Sequence, residues 1–183
     1  MRIELDKAHN LLSPRVVGLI TTVNSLKGVN AAPMSFVSPV SMSPPIAMIS
    51  MRSTRATYEN IREKREFVIN ILSKQYADEV LRCAARYPPG VNKLEQVGLH
   101  TYSSVIVKPP RVKEAKAWME CKLHDEKIVG DHVVVFGEVL VAEAKDDILT
   151  NGEIDMTKLN PILHLRKEDF AVDFKAVKYK RYD

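Results

Sequence analysis

Residues 15–51 read RVVGLITTVNSLKGVNAAPMSFVSPVSMSPPIAMISM, and the punctuation of this stretch decides the fold class. Its opening, RVVGLITTV (15–23), follows Pro14 and is a β-branched run of the kind that makes a largely buried strand. NSLKG (24–28) carries the residues that a hairpin turn needs. The apolar runs at about 30–38 and 46–51 then become the second and third strands, parted by the Ser43-Pro44-Pro45 bend. Strands joined in this way form an antiparallel meander, the usual beginning of a barrel or sandwich.

Outward from this stretch the pattern changes. TYENIREK (57–64) consists of helix formers, with Tyr58, Ile61 and Arg62 on one side and Thr57 placed as N-cap. FVINIL (67–72) is a strand, and 74–85 is a second helix with Ala77, Val80, Leu81 and Ala84 at helical spacing. Residues 86–102, with Pro88-Pro89-Gly90 and Gly98, read as a long irregular segment, and such loops are either functional or disordered. Strands are expected at 104–107 and 117–124, and after the Gly130-Asp131 turn comes the strongest, VVVFGEVLVA (133–142). A short strand at 170–177 completes a mixed tail. Seven or so strands and two short helices, in one domain over 1–183, favour a closed or partly closed antiparallel barrel decorated by helices.

With 45% hydrophobic and 27% charged residues, the chain has the composition of a globular domain. It contains no apolar run near the roughly 20 residues that span a bilayer. The start, MRIELDKAHN, lacks the apolar core of a signal peptide, so a cytoplasmic location is expected and no membrane partner. The net charge of +4 is spread out, with its densest patch at Lys175, Lys178, Lys180 and Arg181, and aromatics make up only 7%. Nucleic-acid binders cluster basic residues with stacking aromatics, so an anionic small ligand suits this chain better. Cys83 and Cys121 stand far apart without a CxxC, which argues against a disulfide, a zinc site or an iron–sulfur site and for two buried small apolar residues. His9, His100, His124 and His164 have no metal-ligand spacing, and no serine or cysteine occupies a nucleophile elbow. Walker-type and GxGxxG motifs are also absent.

Three places can carry chemistry. Residues 28–58 are apolar but broken by Pro33, Pro39, Pro44 and Pro45 and rich in hydroxyls. That describes either a strand with irregular edges or a segment that turns free amides and hydroxyls toward a ligand. Within it, Ser53-Thr54-Arg55-Ala56-Thr57 directly precedes a helix. Free amides, three hydroxyls and a guanidinium there form either a phosphate cradle or an ordinary capping segment. His132, between the Gly130-Asp131 turn and the strongest strand, is placed to bond a ligand, donate a proton or cap the turn. Lys93 is placed to balance a phosphate or to lie solvated.

Taken together, these residues resemble the flavin reductase-like, FMN-binding split-barrel proteins, which include flavoredoxin and the reductase partners of two-component monooxygenases. The matching pieces are PRVV at 14–17, the TTV-turn-GxNAAPxSF segment at 21–36, and the serine-to-TYxNI stretch at 51–61. FVINIL (67–72), GVNKLExVGL (90–99), VKPPRV (107–112) and GDHxxxxGEV (130–139) follow in order. The resemblance covers about 14–165 and implies a mainly β fold, an antiparallel Greek-key split β-barrel with a few short helices, assembled as a homodimer with FMN near the dimer interface. It further implies that Asn30, Ala31, Ala32, Pro33, Met34 and Ser35 line the isoalloxazine. Ser50, Met51, Arg52, Ser53, Thr54, Arg55 and Thr57 would hold the ribityl chain and phosphate. Lys93 is similar in position to a lysine reaching the phosphate region, and His132 to the histidine near the ring, the candidate catalytic residue. Leu165 would lie in the segment that packs on the flavin.

An FMN has a flat apolar ring and a dianionic tail, so it needs an apolar slot beside a cationic, hydroxyl-rich cradle, and residues 28–58 offer both. The resemblance leaves two activities open. One is an NAD(P)H:flavin oxidoreductase, with NADH or NADPH as co-substrate and free flavin, ferric iron or a redox partner protein as acceptor. The other is a flavoredoxin-like electron carrier without a nicotinamide site. A haem-handling or pyridoxamine-phosphate-oxidase-like split barrel is a third, weaker reading.

Overall fold

The computed structural model describes all residues except 27, 89, 90, 172, 178 and 180–183. Strands β1 (Arg15–Val16), β2 (Gly18–Val23), β3 (Val29–Met34), β4 (Val37–Met42) and β5 (Pro45–Met51) precede helix α1 (Ala56–Lys64) and β6 (Glu66–Ile71). Helices α2 (Ala77–Arg82) and α3 (Lys93–Val97) come next, then β7 (Thr101–Tyr102), β8 (Arg111–Val112) and the long hairpin β9 (Ala117–Val129) and β10 (His132–Ala144). The chain ends with β11 (Leu149–Thr150), β12 (Glu153–Ile154), α4 (Met156–Leu159), β13 (Leu163–Arg166) and β14 (Asp169–Ala171). Short 3-10 turns lie at Leu5–Leu12, Lys74–Tyr76 and Asp146–Ile148.

The main sheet has seven antiparallel strands in the order β3-β2-β6-β9-β10-β5-β4. Its outermost members, β3 and β4, are consecutive in the chain and joined only by Ser35-Phe36. Seven flat strands would hold them about 29 Å apart, at about 4.8 Å per spacing. Three residue steps span at most about 11 Å. The sheet must therefore curl until its ends meet, giving the antiparallel split barrel with few short helices that the resemblance implied. The simple meander expected over residues 15–51 does not occur: β3 pairs with β2, whereas β5 pairs with β4 and β10. The expected second strand is broken at Ser35-Phe36, where the chain passes from one edge of the sheet to the other.

Strand alternation explains the two cores. Ile20, Phe67, Ile69, Cys121 and Leu123 point into the barrel, while Leu19, Val68 and Trp118 point outward under α2, α3 and the loops around them. Both cysteines are free and buried. Gly137 sits at a bulge in the β9–β10 pairing because a Cβ there would lie 2.4 Å from the Phe67 ring.

Several local expectations are corrected. The 74–85 helix shortens to a 3-10 turn followed by α2, and the 86–102 loop contains α3, capped by the Asn92 side chain. Residues 104–107 form no strand, because the buried Glu120 carboxylate accepts the amides of Val105, Ile106 and Val107 at 2.7, 2.7 and 3.2 Å. Strand β9 runs to Val129, past the expected end at 124. Of the tail strand expected at 170–177, β14 ends at Ala171, and residue 172 lies outside the described residues. The same is true of Pro89-Gly90 and of Lys178, Lys180 and Arg181. No helix among the described residues is long and apolar enough to cross a membrane.

Candidate functional site

A cavity of about 1000 Å³ opens between β3, the end of β5, the start of α1 and the segment after α2. Ala32, Pro33 and Met34 form its floor with Ser50 and Met51, so this part is apolar and built from small or unbranched side chains. Arg52, Thr54, Arg55, Ala56 and Thr57 line the neighbouring part. Helix α1 has Arg55 as its N-cap residue, in extended conformation, and carries no side-chain cap. Uncapped first-turn amides and the positive end of the helix dipole suit an anion.

Thr57 is not the cap that its position suggested. It lies inside the first turn, 2% exposed, and its hydroxyl oxygen accepts a hydrogen bond from Asn30 Nδ2 at 3.0 Å. With that lone pair occupied, the Thr57 proton is left to donate toward the cavity. Thr22 ties the same network to α1 by accepting from Asn60 Nδ2 at 3.0 Å.

Lys93, the first residue of α3, reaches the cavity from the opposite side. Its Nζ lies 3.5 Å from the Ala31 carbonyl and 3.4 Å from that of Cys83, distances at the limit of hydrogen bonding. Burial pulls its ammonium below the ordinary value; the Cys83 thiol opposes this, and the Arg55 guanidinium adds to it. Two cations that repel each other across a cavity make an anion between them favourable.

His132 is placed by the β10–β5 register, which pairs Val133 with Met51 and so sets His132 beside Arg52. Its Nδ1 lies 2.7 Å from Asp131 Oδ1, and this bond, with Arg52 near the same carboxylate, holds Asp131 below the usual carboxylate range. With Nδ1 engaged, the Nε2 atom has no hydrogen-bond partner among the described residues. The ring packs on Phe36, with centroids 5.8 Å apart. His132 and Arg52 also border a second cavity of about 560 Å³, shared with Asp6, His9, Phe36 and Asp131.

Of the residues singled out from the sequence, Asn30, Ala32, Pro33, Met34, Ser50, Met51, Arg52, Thr54, Arg55, Thr57, Lys93 and His132 meet at the first cavity. Four do not line it. The Ala31 side chain is buried in the outer core, because alternation along β3 turns it away from Ala32. Ser35 bonds His164 Nδ1 at 3.0 Å, Ser53 is exposed, and the Leu165 carbonyl accepts from Ser13 Oγ at 2.5 Å. Sequence reasoning missed the wall formed by residues 83–88 and Val91. Its one signal was the proline-rich length of the 86–102 segment.

The profile of the flavin reductase like domain matches residues 11–171. An uncharacterized protein of Aquifex aeolicus is 35% identical over 176 residues, covering 93% of this chain and 90% of that protein. The reductase component of a 4-nitrophenol 4-monooxygenase/4-nitrocatechol 2-monooxygenase from Rhodococcus opacus is 29% identical, covering 76% of this chain and 74% of its own length. Among solved structures, nitrilotriacetate monooxygenase component B from Bacillus cereus superposes with a TM-score of 0.89 at 26% identity, with 98% of each chain covered. Flavoredoxin of Desulfovibrio vulgaris (Miyazaki F) shares the fold, with a TM-score of 0.86 at 21% identity over 98% of this chain and 97% of its own. The chain thus belongs to the flavin reductase like domain family, and its barrel is the split barrel of flavin reductases and flavoredoxin.

Proposed function

We propose that the chain holds one FMN in the larger cavity and acts as an NAD(P)H-dependent reductase, passing electrons to free flavin, ferric iron or a partner oxygenase. The observation that carries this reading is the cavity's polarity. An apolar floor of Ala32, Pro33, Met34 and Met51 adjoins a cradle of the uncapped α1, Arg55, Thr57 and Lys93. The residues present fit the group, since a flat apolar ring with a dianionic tail needs both surfaces in one site. Kinship with a monooxygenase reductase component supports the reductase activity.

When bound, FMN supplies the hydride and electron-transfer chemistry. Ala32, Pro33 and Met34 of β3 would orient the ring and exclude water from it. Arg55, Lys93 and the first-turn amides of α1 neutralise the phosphate. His132 borders the same cavity with no partner for Nε2 among the described residues, where it would hold or give a proton and stabilise negative charge. In this reading the whole chain works as a single domain and two copies associate as a homodimer.

An absorption spectrum of the purified protein, followed by anaerobic addition of NADH and then NADPH, tests the reading. Flavin bands that bleach with either nucleotide are the expected result and identify the donor. Bands that persist with both nucleotides but bleach with a protein donor replace the reductase by a flavoredoxin-like carrier. A colourless protein that FMN cannot reconstitute overturns the cofactor.

A further inference from the structure

Neither the floor nor the cradle uses the side of the larger cavity that residues 83–88 form. Its wall, from Cys83 to Pro88 and Val91, comes from the segment between α2 and α3 and adjoins Lys93, whose Nζ lies 3.4 Å from the Cys83 carbonyl. A cavity of about 1000 Å³ is at the upper end for a single small ligand, where the range is roughly 300–1,000 Å³. The extra wall also has a defined chemistry. Tyr87 is half-buried, with Lys93 Nζ 6.0 Å from its ring centre, and the exposed Arg86 adjoins it. An aromatic ring, a guanidinium and a short apolar edge from Pro88 and Val91 suit a purine, which binds by stacking and needs little hydrogen-bond readout. Lys93 sits between this wall and the cradle, so one ammonium faces phosphate charge on both sides.

We propose that the Arg86–Tyr87 wall is an adenosine-phosphate subsite, continuous with the flavin phosphate cradle across Lys93. The inference rests on the flavin-reductase reading above. Two ligands carry the required adenosine phosphate: the AMP half of FAD, with its flavin in the main slot, and the ADP half of NADH or NADPH arriving beside bound FMN. In both, the base stacks on Tyr87 or Arg86 and the phosphates approach Lys93.

The test compares the wild type with Arg86→Ala/Tyr87→Ala and with Tyr87→Phe, with folding checked by circular dichroism. Dissociation constants of FMN and FAD are read from flavin fluorescence, and KM values for NADH and NADPH from steady-state oxidation. The expected result is that the double variant binds FMN within about twofold of the wild type. It weakens either FAD binding or the nicotinamide KM by about tenfold, in line with the loss of one base–aromatic stack. Tyr87→Phe restores most of the loss, since stacking needs the ring and not the hydroxyl. A change in FAD alone names the flavin dinucleotide as the source, and a change in KM alone names the nicotinamide nucleotide. Unchanged values for FAD, NADH and NADPH overturn the subsite, and so does an equal loss of FMN, which would place these residues in the cradle. Wild-type protein that binds neither FMN nor FAD overturns the flavin reading itself and the subsite with it.

Discussion

Arg55 and Thr57 were grouped by sequence, yet they differ physically. Arg55 is exposed and its guanidinium has no carboxylate partner among the described residues, so removing it takes charge from the cradle and little from the fold. Arg55→Ala should weaken FMN binding about 10- to 100-fold, the value of a charge-assisted hydrogen bond, with an unchanged melting temperature. Thr57→Ala should lower both, because it strips Asn30 Nδ2 of a buried acceptor at a cost of about 1–3 kcal/mol. Titration of FMN and thermal melts on the two variants separate these roles; equal effects on both readouts would show that the cradle and the scaffold are one thing. His132→Ala should slow flavin reduction or shift its potential while leaving FMN retention within about threefold, since the imidazole is not among the groups assigned to the phosphate. Stopped-flow traces that match the wild type would remove His132 from the chemistry. Its neighbours were legible in the sequence as GDH; the Asp131 bond that orients the imidazole was not, because adjacent residues can point either way on a turn.

At the level of elements, two strand positions bind the barrel to its surroundings. Gly137 lets the Phe67 ring lie against the β10 backbone, and the Phe67 side chain is fully buried and cannot swing away. Gly137→Ala should therefore destabilise the protein by about 1–3 kcal/mol, the usual cost of overpacking, as read from chemical denaturation. The second position is Glu120 on the outer face of β9. It accepts Arg111 Nε at 2.7 Å as well as the three loop amides, and Arg111 also pairs with Glu143. Burial alone would push Glu120 up, but the amides of Val105, Ile106 and Val107 and the Arg111 guanidinium outweigh it and hold the carboxyl below its ordinary value. A carboxyl lowered on folding stabilises the protein above its unfolded pKa, near pH 4, and loses that contribution as pH falls through the folded pKa. Glu120→Gln should then cost about 3 kcal/mol near pH 7 and flatten the acid limb of the stability curve. An acid limb that the substitution leaves unchanged would assign the pH dependence to other carboxylates. Trp118, Glu120 and Lys122 alternate along the strand expected at 117–124, and the segment over residues 104–107 closes on that face and turns Glu120 into a buried anchor.

For the whole molecule, the exposed large apolar side chains include Met42, Val105, Ile106, Ile128 and Val129. The homodimer proposed above would cover part of this apolar surface. Light scattering coupled to size-exclusion chromatography should give about twice the mass of one chain; a monomer at micromolar concentration would refute the dimer. The sequence by itself determined most of the strands, the turn residues between them, the ordered motifs that place the chain in its family, and twelve of the residues that meet at the cavity. These are short-range properties, set by side-chain period, proline and glycine positions, and local hydrogen bonding. Only the tertiary structure decided that β3 and β4 lie at opposite edges of one curled sheet, that Ala31 and Ser35 face away from the cavity, and that residues 83–88 and Val91 form its second wall. Those outcomes depend on which distant apolar faces are buried together and on how a closed sheet brings its ends into contact, and no local pattern encodes either.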